Sequence, residues 1–122
     1  MSTFTEPRQV SFKAAEEITE YHAVIQTTDS EIEMCDGAGE SAIGIAMAGA
    51  SASGELVPVA IQGGGAKLKL AGTVARGGFI AVDSSGRGVA VAAEGFFFAR
   101  AMESGVTGDI IGVEVVYGYA PA

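Results

Sequence analysis

Apolar and polar positions along this chain alternate in short runs and nowhere form a sustained helical stripe. Glu31-Ile32-Glu33-Met34-Cys35 alternates acidic with apolar residues, the period-two pattern of a half-buried strand, and Lys67-Leu68-Lys69-Leu70 repeats it. Further strands are predicted at Ala42–Ala48, with Ile43 and Ile45 on one face, and at Leu56–Gln62, where Pro58 suggests an edge position or a strand start. The second half keeps this rhythm through Phe79–Val82, Gly88–Ala92, Phe96–Arg100 and Ile110–Tyr117. Phe96-Phe97-Phe98 is the densest aromatic run and needs cover on both faces. Turn-forming clusters separate these runs: Asp29-Ser30, Asp36–Ser41, Gly63-Gly64-Gly65, Asp83–Gly88 and Gly105–Asp109. Short strands about ten residues apart with turn signals between them predict an all-β fold, a small antiparallel β-barrel or sandwich.

The N-terminal region reads differently. Ser2 to Pro7 is polar around an isolated Phe4, and Pro7 disfavours helix at Glu6, so residues 1–9 are expected to form an extended arm ahead of a single β domain over 10–122. Ala14–Ile18 would suit a helical turn, but Val10, Phe12, Ile18 and Tyr21 are too sparse for a continuous apolar stripe. A strand at Val10–Lys13, a turn and a strand at Tyr21–Thr27 fit better. An extended arm can add a strand to a neighbour's sheet edge. Phe4, Pro7, Val10 and Phe12 are therefore the candidate interface residues, with Phe4 and Phe12 as apolar anchors.

Composition narrows the function. The 122 residues suffice for one core, and although 48% are hydrophobic, aromatics are only 7% and Trp is absent. Small side chains bury modest area each, so association with a partner would add needed burial. The net charge of −8, without a basic stripe, argues against binding nucleic acid. No apolar run approaches the roughly 20 residues of a membrane span, and the N-terminus lacks a signal pattern, so the chain is expected to be made in the cytoplasm without membrane contact.

No motif supports catalysis, a cofactor or a metal. Gly63-Gly64-Gly65-Ala66-Lys67 lacks the GxxxxGK-Ser/Thr spacing of a phosphate loop, and Leu68 follows the lysine in a strand pattern. Asp83-Ser84-Ser85-Gly86 and Asp36-Gly37-Ala38-Gly39 offer one carboxylate each, with Glu40 near the second, far short of a calcium ligand set, and read as structural turns. His22 is the sole histidine and Cys35 the sole cysteine. A lone histidine needs a nucleophile and a supporting acid, and a cysteine in an apolar strand reads as a buried, inert thiol.

Several segments in fixed order resemble a known family. VSFKAAEEITEYHA at Val10–Ala23 precedes Ser41–Ala46, Gly54–Ile61, Gly72–Ile80, the DSSGRGVAVA segment at Asp83–Ala92, and Gly105–Val113. This order resembles the small bacteriophage capsid decoration, or cement, proteins with an Ala/Gly-rich β core, over about residues 10 to 117. It departs from them at Arg76-Gly77-Gly78-Phe79, where Gly-Asp would be usual, and in the Glu31–Glu33 and Phe96–Phe98 segments. The resemblance implies a non-enzymatic virion protein on the outer capsid surface, with the major capsid protein as its partner. It also implies homotrimers at threefold and quasi-threefold positions that staple capsid subunits against internal DNA pressure.

Two rival readings come from other classes. A small β-barrel ligand-binding module with a cleft near His22 would be stabilised by its ligand as a free monomer. Another virion part, a tail-tube or head-fibre base domain, would share the β architecture, though a tail tube normally needs a long hairpin loop that the sequence lacks.

Overall fold

The alternation resolves into ten strands in a computed structural model that describes residues 9–91 and 95–120. They are β1 (Gln9–Ala14), β2 (Ala23–Gln26), β3 (Glu31–Met34), β4 (Gly44–Ala46), β5 (Leu56–Ala60), β6 (Gly65–Lys69), β7 (Phe79–Val82), β8 (Gly88–Ala90), β9 (Gly95–Ala101) and β10 (Ile110–Ala120). No helix occurs among the described residues. The fold is all-β and contains both a closed five-stranded barrel, β1-β3-β2-β4-β5, and a second five-stranded sheet, β6-β10-β9-β7-β8. Pairing is antiparallel except between β1 and β3, which run parallel through Lys13–Glu31 and Ala14–Ile32. The second sheet curls toward closure: past the end of β6, the Ala71 amide donates to the Gly88 carbonyl of β8 at 2.7 Å.

Period-two alternation divides the core in two. Val24, Ile32, Ala46, Val57 and Val59 point into the barrel with Ala14, Ile18 and Ala50. Their neighbours Ala23, Ile45 and Ala60, on β2, β4 and β5, point the other way and join Leu68, Leu70, Ile80, Phe98 and Val113 of the second sheet in one shared cluster. Strand β4 is therefore buried on both faces, which is why it consists of Gly44, Ile45 and Ala46. Gly44 leaves no room for any side chain, because a Cβ there would overlap the Ala60 carbonyl oxygen of β5.

Strand ends differ from the sequence expectation by up to three residues, as where Ala42–Ala48 shortens to Gly44–Ala46 and Ile110–Tyr117 extends to Ala120, and two differences have a specific cause. Tyr21 does not open a strand: its φ of 65° lies in the left-handed region, and β2 starts at Ala23. The corner joins the two halves, because the Tyr21 amide donates to the Ala46 carbonyl at 2.8 Å and its carbonyl accepts from the Lys69 amide at 3.0 Å. Pro58 is neither at an edge nor at a strand start, since β5 pairs with β1 on one side and β4 on the other. The Pro58 carbonyl accepts from Met47 at 2.8 Å, and β4 ends at Ala46, one residue before the position where a returning donor on Pro58 would be required.

Strand β10 carries the feature that shapes the surface. It pairs with β9 through Val115–Ala99 and again through Gly118–Phe97, so two residues, Val116 and Tyr117, span the single residue Phe98. This bulge places Tyr117 against the shared core, where its hydroxyl donates to the Ile43 carbonyl beside β4.

Candidate interaction surface

The residues suited to chemistry are occupied structurally. Cys35 is buried, and burial, reinforced by the nearby Glu40 and Asp36 carboxylates, pushes its thiol up to about 12, so it is protonated at neutral pH. His22 lies in the β1–β2 connection with Nδ1 3.0 Å from the Glu20 carbonyl oxygen. In the Asp83 loop one carboxylate oxygen accepts from the Ser85 and Arg87 amides at 2.8 and 2.9 Å, and the other faces Arg87 Nη2 at 3.4 Å. Glu40 likewise accepts from the Asp36 and Gly37 amides at 2.8 and 3.1 Å. Asp83 and Glu40 thus spend their carboxylates on the backbone of their own loops, as turn residues do. Among the described residues no three His, Cys, Asp or Glu side chains are grouped to hold a metal.

The candidate interface residues are only partly placed. Phe4 and Pro7 lie outside the described residues. Gln9 opens β1, whose pairing with β5 runs from Gln9–Ala60 to Lys13–Leu56. Val10, Phe12 and Ala14 share one face of β1. Ala14 is sealed, Phe12 packs half-buried against the barrel core, and Val10 remains 42% exposed. Of this group Val10 is the side chain available for contact.

The more developed surface lies on the outward face of the second sheet. Phe79 stacks on Phe97 with ring centroids 4.2 Å apart. The Phe97 ring covers Gly118, where any Cβ would collide with it, and the bulge in β10 supplies that register. Thus only Phe98 of the aromatic run is fully buried: Phe96 packs half-buried against the shared core, and Phe97 lies half-buried on the outside. Phe79 pairs with Arg100, and Arg100 with Glu114, across neighbouring strands. Beside them a cleft of about 420 Å³ is lined by Arg76, Gly77, Arg100, Ala101, Met102 and Glu114. Met102 is 60% and Ile110 47% exposed at the same sheet. Sequence reading missed this surface because the stack depends on which face each of three consecutive phenylalanines takes. The available hint was Gly118, a glycine inside a strand where another group approaches closely.

Charge divides along the same line as the two sheets. Residues 9–60, which hold the barrel, carry nine carboxylates and one lysine, while residues 61–122 carry five acidic and five basic residues. The whole net charge of −8 therefore belongs to the barrel half. Among the described residues the only ion pair is Arg87–Asp83, so Lys67, Lys69, Arg76 and Arg100 stand without a carboxylate within 4.0 Å.

No family model matches the chain, and no curated protein matches it. Among solved structures the fold is similar to the N base of head fiber gp8.5 in bacteriophage phi29, with a TM-score of 0.68 and 15% sequence identity over 88% of this chain and 92% of that one. At this identity the likeness establishes the architecture: this chain shares its barrel-and-sheet fold with the base of a phage head fibre.

Proposed function

We propose that this chain is a non-enzymatic structural protein of a bacteriophage virion, carried on the outer surface of the head. The observation that carries the reading is the fold likeness to a phage head-fibre base over nearly the full length of both chains. The resemblance of the segments from Val10 to Tyr117 to capsid decoration proteins points to the same setting. The finer assignment is a protein bound to the major capsid protein, as trimers at threefold positions, stabilising the mature head. A head-fibre base is the second reading, and the fold likeness favours it specifically. The acidic barrel suits either role, because it turns a strongly negative surface toward water and away from packaged DNA.

Quantitative mass spectrometry on gradient-purified particles tests the proposal and separates the two roles. A ratio to the major capsid protein near one to one supports decoration, and a small fixed fraction supports a fibre base. Absence from purified particles, with abundant chain in the infected-cell lysate, overturns the virion reading.

A further inference from the structure

We propose that the outward face of the second sheet is a docking surface for the acidic barrel of a second copy of this chain. The inference stands on the residues of the chain alone and is independent of the virion reading. The two faces are complementary in charge. Arg76, Arg100, Lys67 and Lys69 belong to the second sheet and its loops without a carboxylate partner among the described residues. Of the carboxylates on the same strands and loops, Glu103 accepts from the Gly112 amide at 2.7 Å and Asp109 from the Val106 amide at 3.0 Å, and Glu114, the cross-strand neighbour of Arg100 in the cleft, leaves the four cations in excess on this face. On the barrel, Glu31 and Glu33 alternate with the buried Ile32 on β3 and so face outward, again without a cation within 4.0 Å among the described residues.

A stacked Phe79–Phe97 pair, an exposed Met102 and two arginines around a cleft match the aromatic, Met and Arg content of protein interface centres. The two faces are also set apart in the fold. The shared core lies between the inner face of the second sheet and β2, β4 and β5 of the barrel, whereas Glu31 and Glu33 stand on β3, outside that contact. The basic face and the acidic wall therefore lie on opposite sides of the shared core. Contact between copies is then head to tail, and such a contact closes into a ring when its rotation allows. Overall repulsion between chains of charge −8 is screened beyond a Debye length of about 8 Å at physiological ionic strength, while pairs in contact keep their attraction.

Sedimentation velocity on the full chain at physiological salt tests this, with circular dichroism checking each variant's fold. The wild type is expected to form a concentration-dependent oligomer. R76E/R100E and E31R/E33R are each expected to raise the dissociation constant at least about tenfold and to sediment as monomers. An equimolar mixture of the two offers two complementary contacts, the wild-type barrel wall of the first on the wild-type sheet face of the second and the reversed sheet face of the first on the reversed barrel wall of the second, and should associate with the two variants alternating. The quadruple variant, with both faces reversed, should regain the wild-type oligomer. If charge reversal impairs folding, the neutral R76Q/R100Q and E31Q/E33Q variants should still weaken association. A wild type that stays monomeric to its solubility limit, or folded reversal variants that oligomerise as it does, overturns the proposal. Head binding by monomeric R76E/R100E would leave the virion reading standing while the docking proposal is judged on sedimentation alone.

Discussion

Replacing Gly44 by alanine should damage this fold more than its single added methyl suggests. The new Cβ would overlap the Ala60 carbonyl oxygen and press on Val59 Cγ1 at 2.9 Å. The first obstacle is backbone, and it belongs to the β4–β5 pairing that helps close the barrel through Ile45–Ala60 and Ala46–Val59. Overpacking a core costs about 1–3 kcal/mol when side chains can shift. Here β4 must also move off β5, weakening hydrogen bonds that contribute about 1 kcal/mol each. Together these give about 3–5 kcal/mol, a large share of the roughly 5–15 kcal/mol that holds a domain folded. At roughly 4 °C per kcal/mol for a chain of this size, the melting temperature should fall by about 12–20 °C. Urea unfolding followed by far-UV circular dichroism measures this without tryptophan, which the chain lacks. Gly65→Ala is the control: no heavy atom lies within 4 Å of its Cβ position, so its stability should change by less than about 1 kcal/mol in either direction. If Gly44→Ala unfolds within about 1 kcal/mol of the wild type, the close approach of β4 to β5 is refuted.

Three further outcomes follow from named contacts. Cys35 should resist a thiol reagent in the folded protein at neutral pH and react on unfolding. Its pKa is raised from 9.0 to about 12, so the folded state keeps a proton that the unfolded chain releases. That contribution is complete below pH 9 and is lost as pH rises toward 12; Cys35→Ala should flatten this alkaline slope in denaturation midpoints. Tyr117→Phe removes the hydroxyl donor to Ile43 that ties β10 to the barrel, and should cost about 1–3 kcal/mol because the carbonyl is left without its partner; an unchanged urea midpoint would contradict that contact. Asp83→Ala removes the acceptor for the Ser85 and Arg87 amides and the partner of the Arg87 guanidinium, and should cost about 1 kcal/mol in the same assay, with calcium leaving the wild-type midpoint unmoved.

What the sequence determined by itself was the set of strands and turns. Glu31–Met34, Leu56–Ala60, Phe79–Val82 and β10 as far as Tyr117 were legible because period-two alternation and turn chemistry are local, and the pleat converts them directly into strands. The turn roles of Asp36–Glu40 and Asp83–Arg87 were legible for the same reason, since those side chains bond backbone only a few residues away. The tertiary structure decided how the strands were divided between a closed barrel and a second sheet. Ile45 and Ala46 look alike as small buried positions, yet they face different cores, and only the pairing of β4 with β2 and β5 settles which. The status of Pro58 depended on β4 ending beside it, and the left-handed turn at Tyr21 on joining the two halves. The outward, half-buried placement of Phe97 depended on a bulge in a strand some twenty residues later in the chain. Each of these is a long-range register, and a one-residue change in register exchanges the buried and exposed faces of a strand without altering its local pattern. The charge of every residue was readable at once, but its concentration on one barrel became meaningful only when the fold set that barrel apart from the sheet carrying Arg76 and Arg100.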